Sequence, residues 1–101
     1  MPCRKSVLDL LQAQQSFDVS LLPDRFLLGI DYYCSMHWPH AEIVQQVHID
    51  FLTELALEKL QGLGIALSAD EFRLLRQTLA ETLNVNQALR AVRPKMDFGL
   101  R

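Results

Sequence analysis

This sequence of 101 residues lacks the features that place a chain in a membrane or on a secretory route. It has no apolar run of about 18 residues, which argues against a transmembrane helix, and its first residues lack the long apolar segment of a signal peptide. Its two cysteines, Cys3 and Cys34, are too few for a disulfide framework and do not have Cys-x-x-Cys spacing. We therefore expect two reduced thiols in a cytoplasmic protein that does not enter a membrane.

Motifs for catalysis are also missing. The sequence contains no glycine-rich phosphate loop, no His-Glu-x-x-His and no paired-carboxylate motif. Nucleophilic catalysis needs a thiol or hydroxyl beside a base, and the only candidate pair combines Cys34 with His37 or His40. We therefore expect neither an enzyme nor a bound cofactor, and a function that depends on binding.

What the sequence does have is apolar residues, at 50% of the chain, with the spacing of helices. This is enough for a single domain with a real core. We predict an all-α, four- to five-helix antiparallel bundle over residues 1–93, followed by a flexible tail over 94–101. The helices are predicted at about 6–15, 22–36, 39–61, 69–84 and 86–93.

Local signals predict where these helices begin and end. Ser6 is a candidate N-cap for the first helix, and Pro39 is expected to separate the second helix from a central third one. Gly62-Leu63-Gly64 is typical of a helix end. Ser68 and Glu71 form the Ser-x-x-Glu pattern of a capping box at the start of the fourth helix.

The apolar stripe changes side after Asn84, and two interpretations fit. In the first, the helix breaks at Asn84-Val85-Asn86 and Asn86 caps a short fifth helix. In the second, one long helix buries its first half in the core and its second half against another chain. Only the second interpretation makes the segment after Asn84 a partner surface.

The predicted second helix is apolar on two sides. One face is expected to enter the core, and it carries Phe26, Leu27, Ile30, Tyr33 and Cys34. A narrower stripe at the helical spacing of four residues consists of Leu28, Tyr32 and Met36. The stripe is either buried by a second side of the same chain or left free for a partner.

All three histidines lie between Cys34 and His48. Cys34, His37 and His40 have the spacing Cys-x2-His-x2-His, which suits zinc or haem, with Glu42 or His48 as a fourth ligand. The competing interpretation is a corner between helices in which Trp38 packs and the histidines face solvent. We expect this corner and no bound metal. His48 itself falls among apolar positions, so we expect a buried core histidine or, as the alternative, a pH-responsive or interface residue.

The net charge of −2 is unevenly distributed. Residues 6–71 hold ten acidic and two basic side chains, whereas residues 72–101 hold six basic and two acidic ones. The basic third is a candidate for DNA binding, but the acidic body argues against phosphate contacts.

These patterns predict a protein-binding module, such as an adaptor, chaperone or regulator, that forms a homodimer. A metal- or haem-binding sensor and a DNA-binding regulator are the alternatives. The side chains expected at the partner interface are Leu28, Tyr32, Met36, Val85, Leu89, Arg90, Val92 and Arg93.

Overall fold

A computed structural model describes residues 2–13 and 18–94, and this part of the chain is all-α, as predicted. It contains a 3-10 turn at Val19–Leu21 and five α-helices. The helices are α1 at Pro2–Gln12, α2 at Asp24–Ser35, α3 at His40–Gly62, α4 at Ala69–Thr82 and α5 at Val85–Val92. The predicted tail lies outside the described residues, apart from Pro94.

The chain divides into two compact units, Met1–His48 and Ile49–Arg101. The helix α3 contributes residues to both, so the single domain over 1–93 stays a prediction. In the first unit, α1 packs on α2. Its buried apolar side chains are Val7, Leu11, Leu22, Phe26, Ile30, Ile43, Val44 and Val47.

The start of α1 differs from the prediction. The helix begins at Pro2 rather than at Ser6, which lies inside it. Proline suits the first turn because its missing N–H has no helical acceptor there. The sequence favoured Ser6 because serine is a common N-cap. In the structure Ser6 lies inside the helix, whose side chains Val7 and Leu11 are completely buried.

The expectation of two reduced thiols was wrong. Cys3 and Cys34 form a disulfide with their Cα atoms 6.1 Å apart. They are 31 residues apart in sequence, but α1 and α2 run antiparallel and bring the start of one beside the end of the other. One turn away, the Arg4 guanidinium pairs with the Asp31 carboxylate, and this hydrogen bond lowers the pKa of Asp31.

In the second unit, the rest of α3 packs with α4 and α5. Arg76 in α4 pairs with Asp50 near the start of this part of α3, at 2.8 Å. Because the connection between these helices is at the other end of α3, the two helices run antiparallel. The buried core of the unit consists of Ile49, Ala56, Leu60, Leu75, Leu79, Ala88 and Leu89.

The predicted capping box at the start of α4 is confirmed. The Ser68 hydroxyl accepts from the Glu71 backbone N–H at 3.1 Å, and the Glu71 carboxylate accepts from the Ser68 N–H at 3.0 Å. The pKa of Glu71 is lowered, first by this backbone hydrogen bond and then by the nearby charge of Arg93. The capping box makes Ser68 the N-cap of α4, which begins at Ala69.

The helix breaks after α4, which decides between the two interpretations of the Asn84 region. The cap of α5 is Asn84 rather than Asn86, since the Asn84 side chain accepts from the Gln87 N–H at 3.0 Å. The Asn86 side chain instead accepts from Lys59 Nζ at 2.8 Å. None of the described helices has the length and apolar character needed to cross a membrane.

Candidate protein-binding surface

The narrow apolar stripe of α2 lies on the surface. Its residues Leu28, Tyr32 and Met36 are 65%, 60% and 54% exposed, whereas Phe26 and Ile30 on the opposite side of the helix are buried. The four-residue spacing places the three side chains in one row along the helix. We call this row the α2 stripe. Within the described residues of the first unit, no side chain covers the stripe, which was one of the two interpretations that the sequence offered.

The C-terminal end of α2 is built as a Schellman motif. The Trp38 N–H donates to the Tyr33 carbonyl at 3.2 Å, and the His37 N–H donates to the Cys34 carbonyl at 3.1 Å. The donor residue nearer the helix is normally glycine, because it must adopt a positive φ. Here His37 takes that position with φ of 60°. The corner expected at His37-Trp38-Pro39 is therefore a defined helix stop rather than a loose loop.

Aromatic rings extend the stripe around this corner. Tyr33 and Trp38 are the two residues that close the Schellman motif, and their ring centroids lie 4.5 Å apart. Tyr33 also meets Tyr32 edge-on at 5.8 Å. Trp38 is 37% exposed, so a stacked, partly exposed tryptophan lies beside the end of the stripe. Rigid tyrosine and tryptophan rings of this kind are enriched in protein-binding hot spots.

Trp38 was missing from the predicted interface. The sequence analysis assigned it to packing, and the structure shows it packed on Tyr33 and still 37% exposed. The packing could be read from the spacing of five between Tyr33 and Trp38, which is the spacing of the apolar contact in a Schellman motif.

The apolar residues predicted at the interface on α5 pack within the second unit. Leu89 is completely buried in the core of the second unit, and Val85 and Val92 pack against that core. The change of apolar side after Asn84, which suggested a partner surface, is instead explained by the break between α4 and α5. A new helix starts there with its own orientation, so it buries its apolar face within the same unit.

The basic side chains proposed for partner or DNA binding are largely engaged inside the chain. Arg93 Nε lies 3.1 Å from a Glu71 carboxylate oxygen, and Arg93 Nη2 lies 3.4 Å from the Ala66 carbonyl oxygen. Arg76 pairs with Asp50 and donates to the Thr53 hydroxyl at 3.3 Å. Arg73 pairs with Asp70 at 3.3 Å on the surface, and Arg90 is half-buried. Lys95 and Arg101 lie outside the described residues.

The structure does not gather the candidate metal ligands into one site. Cys34 is bonded to Cys3, so it has no thiolate to offer while that bond is intact. His37 and His40 are exposed, on either side of Trp38 and Pro39. Among residues 2–13 and 18–94, no group of three His, Cys, Asp or Glu side chains is arranged to hold a metal ion.

His48 is buried in α3, as its position among apolar residues predicted. It is 6% exposed, and burial lowers its pKa because it disfavours the charged imidazolium. The neighbouring buried polar residue, Thr53, donates to the Ile49 carbonyl at 2.7 Å.

Comparison of the chain with protein families, with curated proteins and with solved structures finds no match. We therefore infer the function from the exposed residues of the α2 stripe.

Proposed function

We propose that this chain is a cytoplasmic protein-binding module that acts by binding rather than by catalysis, and that it uses the α2 stripe to form a homodimer. The observation that carries the proposal is the exposed row of Leu28, Tyr32 and Met36. It leads to a partly exposed Trp38 at a rigid helix stop. An adaptor, chaperone or regulator would all use such a surface.

The size and chemistry of the surface support this proposal. Together with Trp38, the stripe exposes on the order of 400 Å², which is the size of the largest apolar patch on a typical monomer and is often functional. Two such patches facing each other bury about 800 Å², which is less than the roughly 1,000 Å² that a stable specific interface is expected to exceed. The dimer is therefore expected to be weak, with a dissociation constant in the micromolar range or above.

The structure favours α2 over the basic third as the binding element. Arg76 and Arg93 are paired with carboxylates of the same chain, which reduces the positive charge that a phosphate backbone would need. The side chains of the stripe, by contrast, are more than half exposed. Protein surfaces rather than nucleic acid are the partners that match an apolar and aromatic row.

Sedimentation equilibrium of the purified chain tests the proposal. We expect reversible dimers at tens to hundreds of micromolar, and Tyr32→Ala should weaken the dimer by about tenfold or more, since a central aromatic hot spot contributes about 2 kcal/mol. Leu74→Ala is the matched control, because Leu74 is also exposed, at 40%, but lies on α4. A chain that stays monomeric at several hundred micromolar, or a dimer that Leu74→Ala weakens as much as Tyr32→Ala, contradicts the homodimer.

A further inference from the structure

The docking of α1 on α2 depends on few interactions. The helix has 11 residues, which is below the length of about 12–15 at which an isolated helix becomes stable in water. Two of its side chains, Val7 and Leu11, are fully buried. Its N-terminal turn is fixed by the Cys3–Cys34 disulfide and by the ion pair of Arg4 with Asp31. The disulfide is the one covalent link among these contacts, and it can be opened without changing the sequence.

The disulfide is placed where thiol exchange can reach it. Both cysteine residues are half-buried rather than enclosed in the core. Cys3 lies in the first turn of α1, where the positive end of the helix and the nearby Lys5 favour negative charge. Cys34 lies in the last turn of α2, at the negative end of that helix. The Cys3 sulfur is therefore the better leaving group of the pair.

We propose that the Cys3–Cys34 disulfide is a reversible redox lock that decides whether α1 stays docked on α2. The co-reactant is a small cellular thiol of the glutathione class. Its thiolate attacks the Cys34 sulfur, the S–S bond breaks, and Cys3 leaves as a thiolate that takes up a proton. The thiolate of a second small thiol then attacks the sulfur that the first one contributed to the mixed disulfide, and Cys34 leaves as a thiolate that takes up a proton. Two electrons pass from two small thiols, which leave as their disulfide.

The lock gives the molecule two states with different surfaces. In the oxidised state Val7 and Leu11 are buried. In the reduced state α1 loses its covalent link and exposes these apolar side chains. The lock also explains how a cytoplasmic chain can hold a disulfide: the bond forms when the small-thiol pool is oxidised and opens when the pool is reduced.

Hydrogen exchange of the full chain in glutathione buffers tests the lock. The amides of α1 should exchange at least about tenfold faster in reduced than in oxidised glutathione buffer. The reason is that a link that closes a loop of this length contributes strongly to stability. The amides of α4 and α5 should be unchanged. Peptide mapping of the chain quenched part-way through reduction should find the mixed disulfide on Cys34. A mixed disulfide on Cys3 would contradict the assigned leaving group.

Two variants complete the test. The double variant Cys3→Ser with Cys34→Ser should show the fast α1 exchange of the reduced chain in either buffer. Because reduction of the unmodified chain is the primary measurement, the test holds even if this variant does not fold. The lock is overturned if α1 is equally protected in both buffers, or if excess reduced glutathione leaves the disulfide closed in the folded chain.

Discussion

Positive φ angles mark three helix ends in the described part of the chain, at His37, Gly64 and Leu83. The first two occupy the same position in the same motif. At the end of α3, the Ile65 N–H donates to the Leu60 carbonyl at 2.9 Å, and Gly64 has φ of 73°. The chain thus builds the Schellman motif twice, once with glycine and once with histidine. A residue with a side chain in the left-handed region costs about 1–2 kcal/mol. The backbone of His37 therefore lowers the stability of the fold at the edge of the candidate surface.

Replacing His37 by glycine should stabilise the chain. His37→Gly removes the left-handed strain, and the higher entropy of glycine in the unfolded chain offsets part of the gain. The free energy of unfolding in urea should rise by about 0.5–1 kcal/mol.

The matched control is Gly64→Ala, because an added Cβ at that position meets no atom within 4 Å. Only backbone strain acts there, so this variant should lose about 1 kcal/mol. A destabilised His37→Gly would show that the histidine side chain makes a contribution larger than the strain of its backbone.

At the scale of elements, the N-cap with two reciprocal signals was predicted correctly, whereas the N-caps of α1 and α5 were not. Ser68 and Glu71 cap each other, so the start of α4 could be read from sequence. Ser6 had no such second signal, and α1 begins four residues earlier at Pro2. At the start of α5 both Asn84 and Asn86 are good caps by residue type. The Asn86 side chain instead accepts from Lys59 of another helix, a contact that no local pattern contains.

The capping box makes a prediction at this scale. Ser68→Ala removes the acceptor for the Glu71 N–H and should lower the free energy of unfolding by about 1 kcal/mol. Thr78→Ala is the control, because its hydroxyl also bonds to the backbone, at 2.9 Å, but in the middle of α4. It should have a smaller effect. Equal losses from the two variants in urea denaturation would contradict the role of the cap.

Glu71 adds a pH dependence to the same element. Its folded pKa lies below the ordinary value of 4.5. Its contribution to stability is therefore fully present above that value and is lost as pH falls through the lower folded pKa. Glu71→Gln should reduce the loss of stability between pH 6 and pH 3 in urea denaturation. An unchanged pH profile would show that the carboxylate has no such role.

At the scale of the whole molecule, the helical spacing of apolar residues predicted the all-α fold class and four or five helices, and the described residues form five. It did not predict the disulfide, because residues 3 and 34 become neighbours only when α1 and α2 pack antiparallel. The stripe of α2 could be read from sequence as a second apolar side, but whether the chain covers it depends on every other element. For the same reason Leu89 was assigned to a partner surface and lies in a core.

The account depends most on the claim that two copies meet through the α2 stripe. Site-specific photo-crosslinking measures this directly, with a benzophenone amino acid placed at Leu28 or, as control, at Leu74, both of them exposed leucines. In a solution of about 100 micromolar, within the range expected for a small interface, position 28 should give covalent dimers whose yield Tyr32→Ala strongly reduces, and position 74 should give none. No dimer from position 28, or equal dimer from both positions, would contradict the claim.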